Sequence, residues 1–124
     1  MRLLQNEKQS LKERLLQQYA DQLDALFEQL APRGELDLTE IEDAALALRQ
    51  QTGEDVTQAL TDTQAKPTQP DEMCPHCGQK MRYKGKKPKQ LSTRSGEVEV
   101  NRPYYYCETC HEGIFPLDER WQLD

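Results

Sequence analysis

The chain contains four cysteines, and they form two pairs with the same internal spacing. The first pair lies in Cys74-Pro75-His76-Cys77-Gly78 and the second in Cys107-Glu108-Thr109-Cys110. Two thiolates separated by two residues can bind one metal ion from a tight turn. Two such turns supply the four ligands of a closed, tetrahedral Zn²⁺ site, which is structural because no coordination position stays open. The spacing therefore predicts one structural zinc ion bound by Cys74, Cys77, Cys107 and Cys110.

The pattern leaves alternatives for these cysteines. They could be reduced and unligated, or one pair could act in redox chemistry, although no βαβ pattern surrounds either pair. Cys107 to His111 also matches the attachment signature of c-type haem, with His111 as an axial ligand, but this would leave the upstream pair unexplained. His76 or His111 could replace a cysteine in a Cys₃His site, and iron could take the place of zinc.

The N-terminal half is predicted to be helical. Apolar residues recur at spacings of three and four between Leu11 and Leu30, which indicates an amphipathic helix that ends at residues 31–34, Ala-Pro-Arg-Gly. A second helix is expected to begin near Thr39 with a capping box and to end at Gly53. Residues 54–60 are predicted to form a short third helix. Because few other elements could cover the first apolar stripe, a homodimer through this helix is one expectation.

The C-terminal half is predicted to be β-structure. Short strands are expected at residues 81–84 and 90–93, with the basic run between them as a loop. Residues 94–96 are typical of a turn, because Gly96 can adopt positive φ. Residues 97–100 alternate strictly between charged and apolar, which predicts a half-buried strand that continues to Cys107. Pro103 cannot donate a ladder hydrogen bond, so this strand should be an edge or carry a bulge.

These elements predict an α+β fold with two or three N-terminal helices followed by a small zinc-ribbon domain. The helical region spans residues 1–61 and the ribbon spans residues 73–124. Residues 62–72 contain two prolines and no large apolar side chain, which is typical of a linker. Only 35% of the chain is hydrophobic, which is little for one core of this size, so a bound metal would supply part of the stability.

Charge is distributed unevenly along the chain. Residues 1–72 carry 7 Lys/Arg against 15 Asp/Glu, whereas residues 79–102 carry 8 against 2. The overall charge of -6 argues against non-specific coating of nucleic acid, but the basic segment is compatible with phosphate binding. With neither a signal peptide nor a transmembrane stretch in the sequence, we expect a cytoplasmic protein. A reducing compartment favours metal over disulfides at paired cysteines.

Several linked motifs follow Cys74. A CPxCG turn precedes a strand with Arg and Lys, then a T-x-x-G-x-V-x-V-x-R-x-Y-Y-x-C hairpin, a second CxxC and an F-P-L-D segment. In this chain the corresponding residues are Cys74 to Gly78, Thr93, Gly96, Val98, Val100, Arg102, Tyr104, Tyr105, Cys107, Cys110, Phe115 to Asp118 and Leu123. Over about 50 residues, this region resembles the ISKra-type insertion-sequence transposases of bacteria.

The resemblance implies a zinc-binding and DNA-binding region that precedes a catalytic DDE nuclease domain. This chain does not include such a domain, so we expect no enzymatic activity. Glu97 and Glu99 point the same way on a strand, but the sequence offers them no second catalytic group. The basic residues expected to contact phosphates are Lys80, Arg82, Lys84, Lys86, Lys87, Lys89, Arg94 and Arg102.

Two further expectations concern the same regions. The tyrosines at positions 83 and 104–106 are expected mainly to pack the sheet, with base stacking as the alternative. The alternative function is a protein–protein adaptor that uses the acidic helices, with a ribbon that is purely structural.

Overall fold

The computed structural model describes residues 3–65 and 72–123 and confirms the α+β class. In chain order, its elements are α1 (Gln5–Leu30), a short 3-10 helix (Ala31–Arg33), α2 (Leu38–Gln64), β1 (Arg82–Thr93), β2 (Gly96–Cys107), β3 (Glu112–Ile114) and α3 (Pro116–Arg120). Two compact units divide the chain. The first comprises Met1–Ala59 with Arg94–Gly96, and the second comprises Leu60–Thr93 with Glu97–Asp124.

The first unit is a helical hairpin with a poorly covered apolar stripe. The first helix, α1, ends at Leu30 as predicted, and Gly34 follows with a φ of 74°. Within Gln5–Leu30, all of which the structure describes, no residue is buried. Tyr19 and Phe27 are 41% and 59% exposed, although both belong to the predicted stripe. Each helix in the described ranges is too short or too polar to cross a lipid bilayer.

The second helix begins with a cap that differs from the predicted one. The Glu40 backbone N–H donates to Asp37 Oδ1 at 2.8 Å, and the Asp37 N–H donates to Glu40 Oε1 at 3.2 Å. This is a reciprocal capping box with Asp37 as the N-cap, so the prediction of Thr39 as the cap was wrong. Asp37 has the same three-residue spacing to a glutamate as Thr39, and both residue types accept hydrogen bonds from a helix N-terminus.

Helix α2 continues through Gly53, so the predicted cap and the separate third helix were also wrong. A glycine ends a helix when it adopts positive φ, which Gly53 does not do, and within a helix it costs only about 1 kcal/mol. Residues 62–64 of the predicted linker belong to this helix, and Ala65 after them is buried. The remainder of that linker prediction, residues 66–71, lies outside the described residues.

The sheet of the second unit has the order β1-β2-β3. Its first strand runs without interruption from Arg82 to Thr93, so the prediction of two short strands joined by a basic loop was wrong. Side-chain hydrogen bonds place Gln90 beside Glu99 and Ser92 beside Glu97, as expected for an antiparallel hairpin. Pro88 is compatible with β1 because this strand lies at the edge of the sheet.

Strand β1 contains one more residue than β2 between two cross-strand contacts. Gln90 lies next to Glu99, whereas the Tyr83 ring packs against the Tyr105 ring in a tilted arrangement with centroids 5.5 Å apart. Seven positions on β1 therefore match six on β2. Gly85 lies in this interval with a φ of 89°, which identifies it as the position of a β-bulge.

Strand β2 contributes to two small cores on opposite faces of the sheet. Val98 and Val100 are buried and alternate with exposed glutamates, as predicted. Val100 packs with Ala65 and Leu117, and the partly buried Leu91 and Trp121 lie against this cluster. On the other face, Tyr105 and Cys107 pack with Cys74 and Met81. Pro103 lies outside the three-residue pairing of β2 with β3, which covers residues 105–107.

Replacing Leu117 by Ala should lower the free energy of unfolding of the second unit by about 2–5 kcal/mol, because this side chain is only 2% exposed. Trp121 is the only tryptophan and packs against the same cluster, so its fluorescence during urea denaturation reports this core. Met73→Ala is the control, because Met73 is 61% exposed and its loss should cost less than about 0.5 kcal/mol. Equal destabilisation by the two variants would contradict the assignment of this core.

Candidate metal centre

The four cysteine sulfurs lie within 4.8 Å of one another. The Sγ atoms of Cys74 and Cys110 are 3.8 Å apart, and those of Cys77 and Cys107 are 3.5 Å apart. A tetrahedral site with metal–sulfur bonds of about 2.3 Å requires sulfurs about 3.8 Å apart. The predicted cysteines therefore come together in an arrangement that could hold one metal ion.

The first cysteine pair is held by a tight turn. Cys74 N–H donates to Gln79 O at 2.8 Å, and Gly78 N–H donates back to Cys74 O at 2.9 Å. Gly78 has a φ of 73°, a conformation that suits glycine and directs the chain back towards β1. An isolated bridge between Met73 and Lys80 closes the turn. Both sulfurs of this pair consequently project from one short loop.

The second pair uses the same backbone arrangement. His111 N–H donates to Cys107 O at 2.8 Å, as Gly78 does to Cys74, and His111 also has a positive φ of 57°. The Cys110 N–H points to Cys107 Sγ at 3.4 Å. The register of β2 and β3, which places Cys107 opposite Glu112, closes this turn. His111 thus occupies the position that a glycine fills in the first turn.

Apolar side chains surround one side of the sulfur cluster. Cys74 and Cys107 are buried, Cys110 is partly buried and Cys77 is exposed. Met81 and Tyr105 form the buried wall next to them, and Ile114 packs against it. On this buried side, which includes Cys74 and Cys107, the apolar surroundings exclude water and strengthen the attraction between thiolates and a cation.

The thiols have different affinities for protons. Backbone hydrogen bonds from Cys77 and His76 lower the pKa of Cys74 to about 6. The side-chain hydrogen bond with Cys77, together with burial, raises the pKa of Cys110 to about 12. Four thiolates cannot form so close together without a compensating cation, so metal binding at neutral pH must displace protons.

Neither histidine belongs to the sulfur cluster. His76 Nε2 lies 3.0 Å from a carboxylate oxygen of Glu112, and the His111 ring contacts the Tyr106 hydroxyl at 3.4 Å. Arg82 forms an ion pair with Glu108, with 3.4 Å between Nη1 and Oε1. These pairs link residues next to one cysteine turn with residues next to the other. Because all four residues are more than half exposed, each pair contributes at most about 1 kcal/mol.

The sequence analysis missed the roles of Glu108 and Glu112. Each acid adjoins the second cysteine pair, and the basic or titratable partner adjoins the first. When two cysteine turns are expected to come together, an acidic residue beside one turn and a basic residue beside the other predict an ion pair between the turns.

The structure places the eight basic residues predicted to contact phosphates in different surroundings. Lys84, Lys86 and Lys87 are exposed on β1, and the Lys87 ammonium lies 4.4 Å from the centre of the Tyr104 ring. Arg82 pairs with Glu108, and Arg102 lies 2.6 Å from Asp118 and 3.8 Å from the Phe115 ring centre, largely shielded from solvent.

The other three basic residues are more dispersed. Lys80 precedes β1, Lys89 is half-buried and Arg94 lies in the hairpin turn. Lys80 and Lys89 also make further contacts within the chain. The tyrosines mainly pack the sheet: Tyr105 is 2% exposed and the Tyr104 ring packs at a tilt against Phe115, with centroids 4.9 Å apart, whereas Tyr83 is 42% exposed.

No family model, curated protein or solved structure matches this chain. Its function must therefore be inferred from the geometry of its own residues.

Cys107→Ser should abolish stoichiometric metal binding, because Cys107 is the most buried of the four ligands and ends the central strand. His76→Ala and His111→Gly should each retain one metal ion per chain, since neither ring belongs to the cluster. Elemental analysis of the purified variants measures this difference. Loss of the metal from either histidine variant would instead favour a Cys₃His site.

Proposed function

We propose that the cysteine cluster binds Zn²⁺ and that the second unit is a zinc ribbon that contacts DNA. The closed set of four sulfurs supports the choice of metal, because tetrahedral thiolate sites of this kind suit zinc and leave no position for substrate. Iron is the competing ion for four thiolates. The proposed role is structural at the metal and involves no catalytic step.

Protein purified without added metal should contain about one zinc ion per chain and should be colourless, whereas ferric thiolate absorbs visible light. Chelation should unfold the second unit, because in a small metal site the binding free energy is folding free energy. Trp121 fluorescence and elemental analysis follow the two events. Predominant iron, or a metal-free protein with an unchanged Trp121 signal, would argue against a structural zinc ion.

The DNA proposal rests on the charge of β1. This strand carries Arg82, Lys84, Lys86, Lys87 and Lys89 and no acidic residue. The acidic residues of the hairpin, Glu97 and Glu99, lie on β2 towards the turn and bond to Ser92 and Gln90. The positive charge is therefore concentrated on the half of the hairpin that adjoins the cysteine turns, and this half is the proposed contact with phosphates.

The shape of the hairpin supports the same proposal. A two-stranded β-ribbon fits the major groove of duplex DNA, and several DNA-binding proteins place strands there. Strands β1 and β2 each contain 12 residues, and β1 is an edge strand on which Lys84, Lys86 and Lys87 are exposed. The resemblance to ISKra-type transposases indicates the same ligand, and under this proposal the chain corresponds to their zinc-binding region.

Replacing Lys84, Lys86 and Lys87 together by Gln should weaken binding to duplex DNA. If each lysine contacts one phosphate, the slope of log K against log salt should become less steep by roughly 3. The measurement is fluorescence anisotropy of labelled duplex with the full chain at several salt concentrations. Zinc content should not change.

The matched control replaces Lys8, Lys12 and Arg49 by Gln. This variant loses the same charge from exposed positions in the helical unit and should keep the original slope. Equal effects of the two triple variants would indicate a response to net charge alone. Absence of binding by the unmodified chain at low salt would favour the adaptor function, with the helices as its working surface.

A further inference from the structure

An open groove of about 1110 Å³ lies in the first unit, between α1 and α2. Its floor is apolar and includes Leu11 and Leu15 of α1 together with Leu48 of α2. Three further lining residues, Leu16, Tyr19 and Val56, are 56%, 41% and 38% exposed. A helical hairpin that leaves this much apolar surface in water gains stability when another surface covers it.

The charged residues of the groove all have the same sign. Lys8, Lys12 and Arg49 line it, and no aspartate or glutamate is found among the lining residues of the described chain. This is unusual for the unit, since residues 3–59 contain 5 Lys/Arg against 12 Asp/Glu. Three of the five basic residues therefore line one groove with exposed side chains.

We propose that this groove binds an amphipathic helix of another protein whose apolar face is flanked by carboxylates. A helix laid into a hydrophobic groove uses anchors at spacings of three and four, and the apolar floor offers sites for such anchors. Lys8 and Lys12 are four residues apart on α1, so they present two cations on one side of the groove. Arg49 presents the third from α2.

A second copy of this chain is a poorer occupant. In a two-fold dimer through this groove, both copies would bring Lys8, Lys12 and Arg49 to one interface, and the described groove lining of the partner contains no carboxylate to meet them. Like charges across an interface are unfavourable, whereas an acidic helix satisfies all three. The lining residues run along α1 from Lys8 to Tyr19, about 18 Å at 1.5 Å per residue, so a helix of about 12 residues spans this length and a peptide of about 14 residues covers it fully.

The test uses two labelled 14-residue helical peptides with identical leucine faces. One carries glutamates on both flanks and the other carries lysines at the same positions. Fluorescence anisotropy with the full, metal-loaded chain should show about tenfold tighter binding of the glutamate peptide at low salt. Reversing all three charges, in a variant with Lys8→Glu, Lys12→Glu and Arg49→Glu, should make the lysine peptide the tighter ligand.

Two further variants separate the groove from other apolar surface. Leu16→Asp should weaken the glutamate peptide at least tenfold, because Leu16 lines the groove. Leu46→Asp should leave binding unchanged, because Leu46 is 52% exposed but lies outside it. Circular dichroism checks that both variants keep their helices. Equal binding of the two peptides, or equal effects of the two aspartates, would overturn the proposal.

Light scattering supplies the remaining outcome. A dimer of the unmodified chain that Leu16→Asp dissociates would overturn the proposal in favour of self-association. The inference does not depend on zinc or DNA binding by the second unit, because every lining residue belongs to the first unit.

Discussion

Four sulfur atoms within 4.8 Å of one another connect the turn before β1 with the end of β2. Their mutual repulsion as thiolates, and the burial of Cys74 and Cys107, make this arrangement unfavourable without a cation. With a cation, the same closeness becomes the strongest constraint in the second unit. It positions Met81 and Tyr105 as a wall and leaves the outer edge of β1 open.

Strand β2 connects the cysteine cluster to the rest of the second unit, because its residues belong to both small cores. Successive residues of a strand point to opposite faces of the sheet. Strand β2 therefore supplies Tyr105 and Cys107 to the face that carries the cysteine cluster, and Val100 to the face that packs against Ala65 and Leu117. Each core is too small to be stable by itself, but the two share a backbone. The bulge at Gly85 changes which face of the sheet the residues of β1 point to. Tyr83, before the bulge, therefore lies on the same face as Tyr105, and Lys87, after it, lies on the same face as Tyr104.

The sequence predicted those parts of the structure that depend on residue spacing. Paired cysteines, the alternation around Val98 and the turn at Gly96 each define a local geometry that few other residue patterns produce. The continuity of β1 could not be predicted in this way, because Gly85 and Pro88 usually interrupt a strand. Pairing with the apolar β2 outweighs these local preferences.

The same limitation explains the errors in the helical half. Gly53 was expected to end a helix because glycine often does, but the effect of a single glycine is small compared with the hydrogen bonds on either side. The basic side of the groove was not recognised, because Lys8, Lys12 and Arg49 lie on two helices whose relative rotation is a tertiary property. For the same reason, the pairing of Arg102 with Asp118 was not recognised.

The burial of Ala65 determines where this protein can be divided. Ala65 follows the last turn of α2 and packs against Val100 and Leu117, so a piece of the helical half is part of the wall of the sheet unit. A fragment that starts at Met73, where the cysteine motifs suggest a boundary, would expose both of those apolar side chains to water. The second unit begins at Leu60, so the last residues of α2 belong to it together with the ribbon. Because that boundary lies inside the continuous helix α2, an inserted protein or a protease site there would interrupt the hydrogen-bond ladder of the helix.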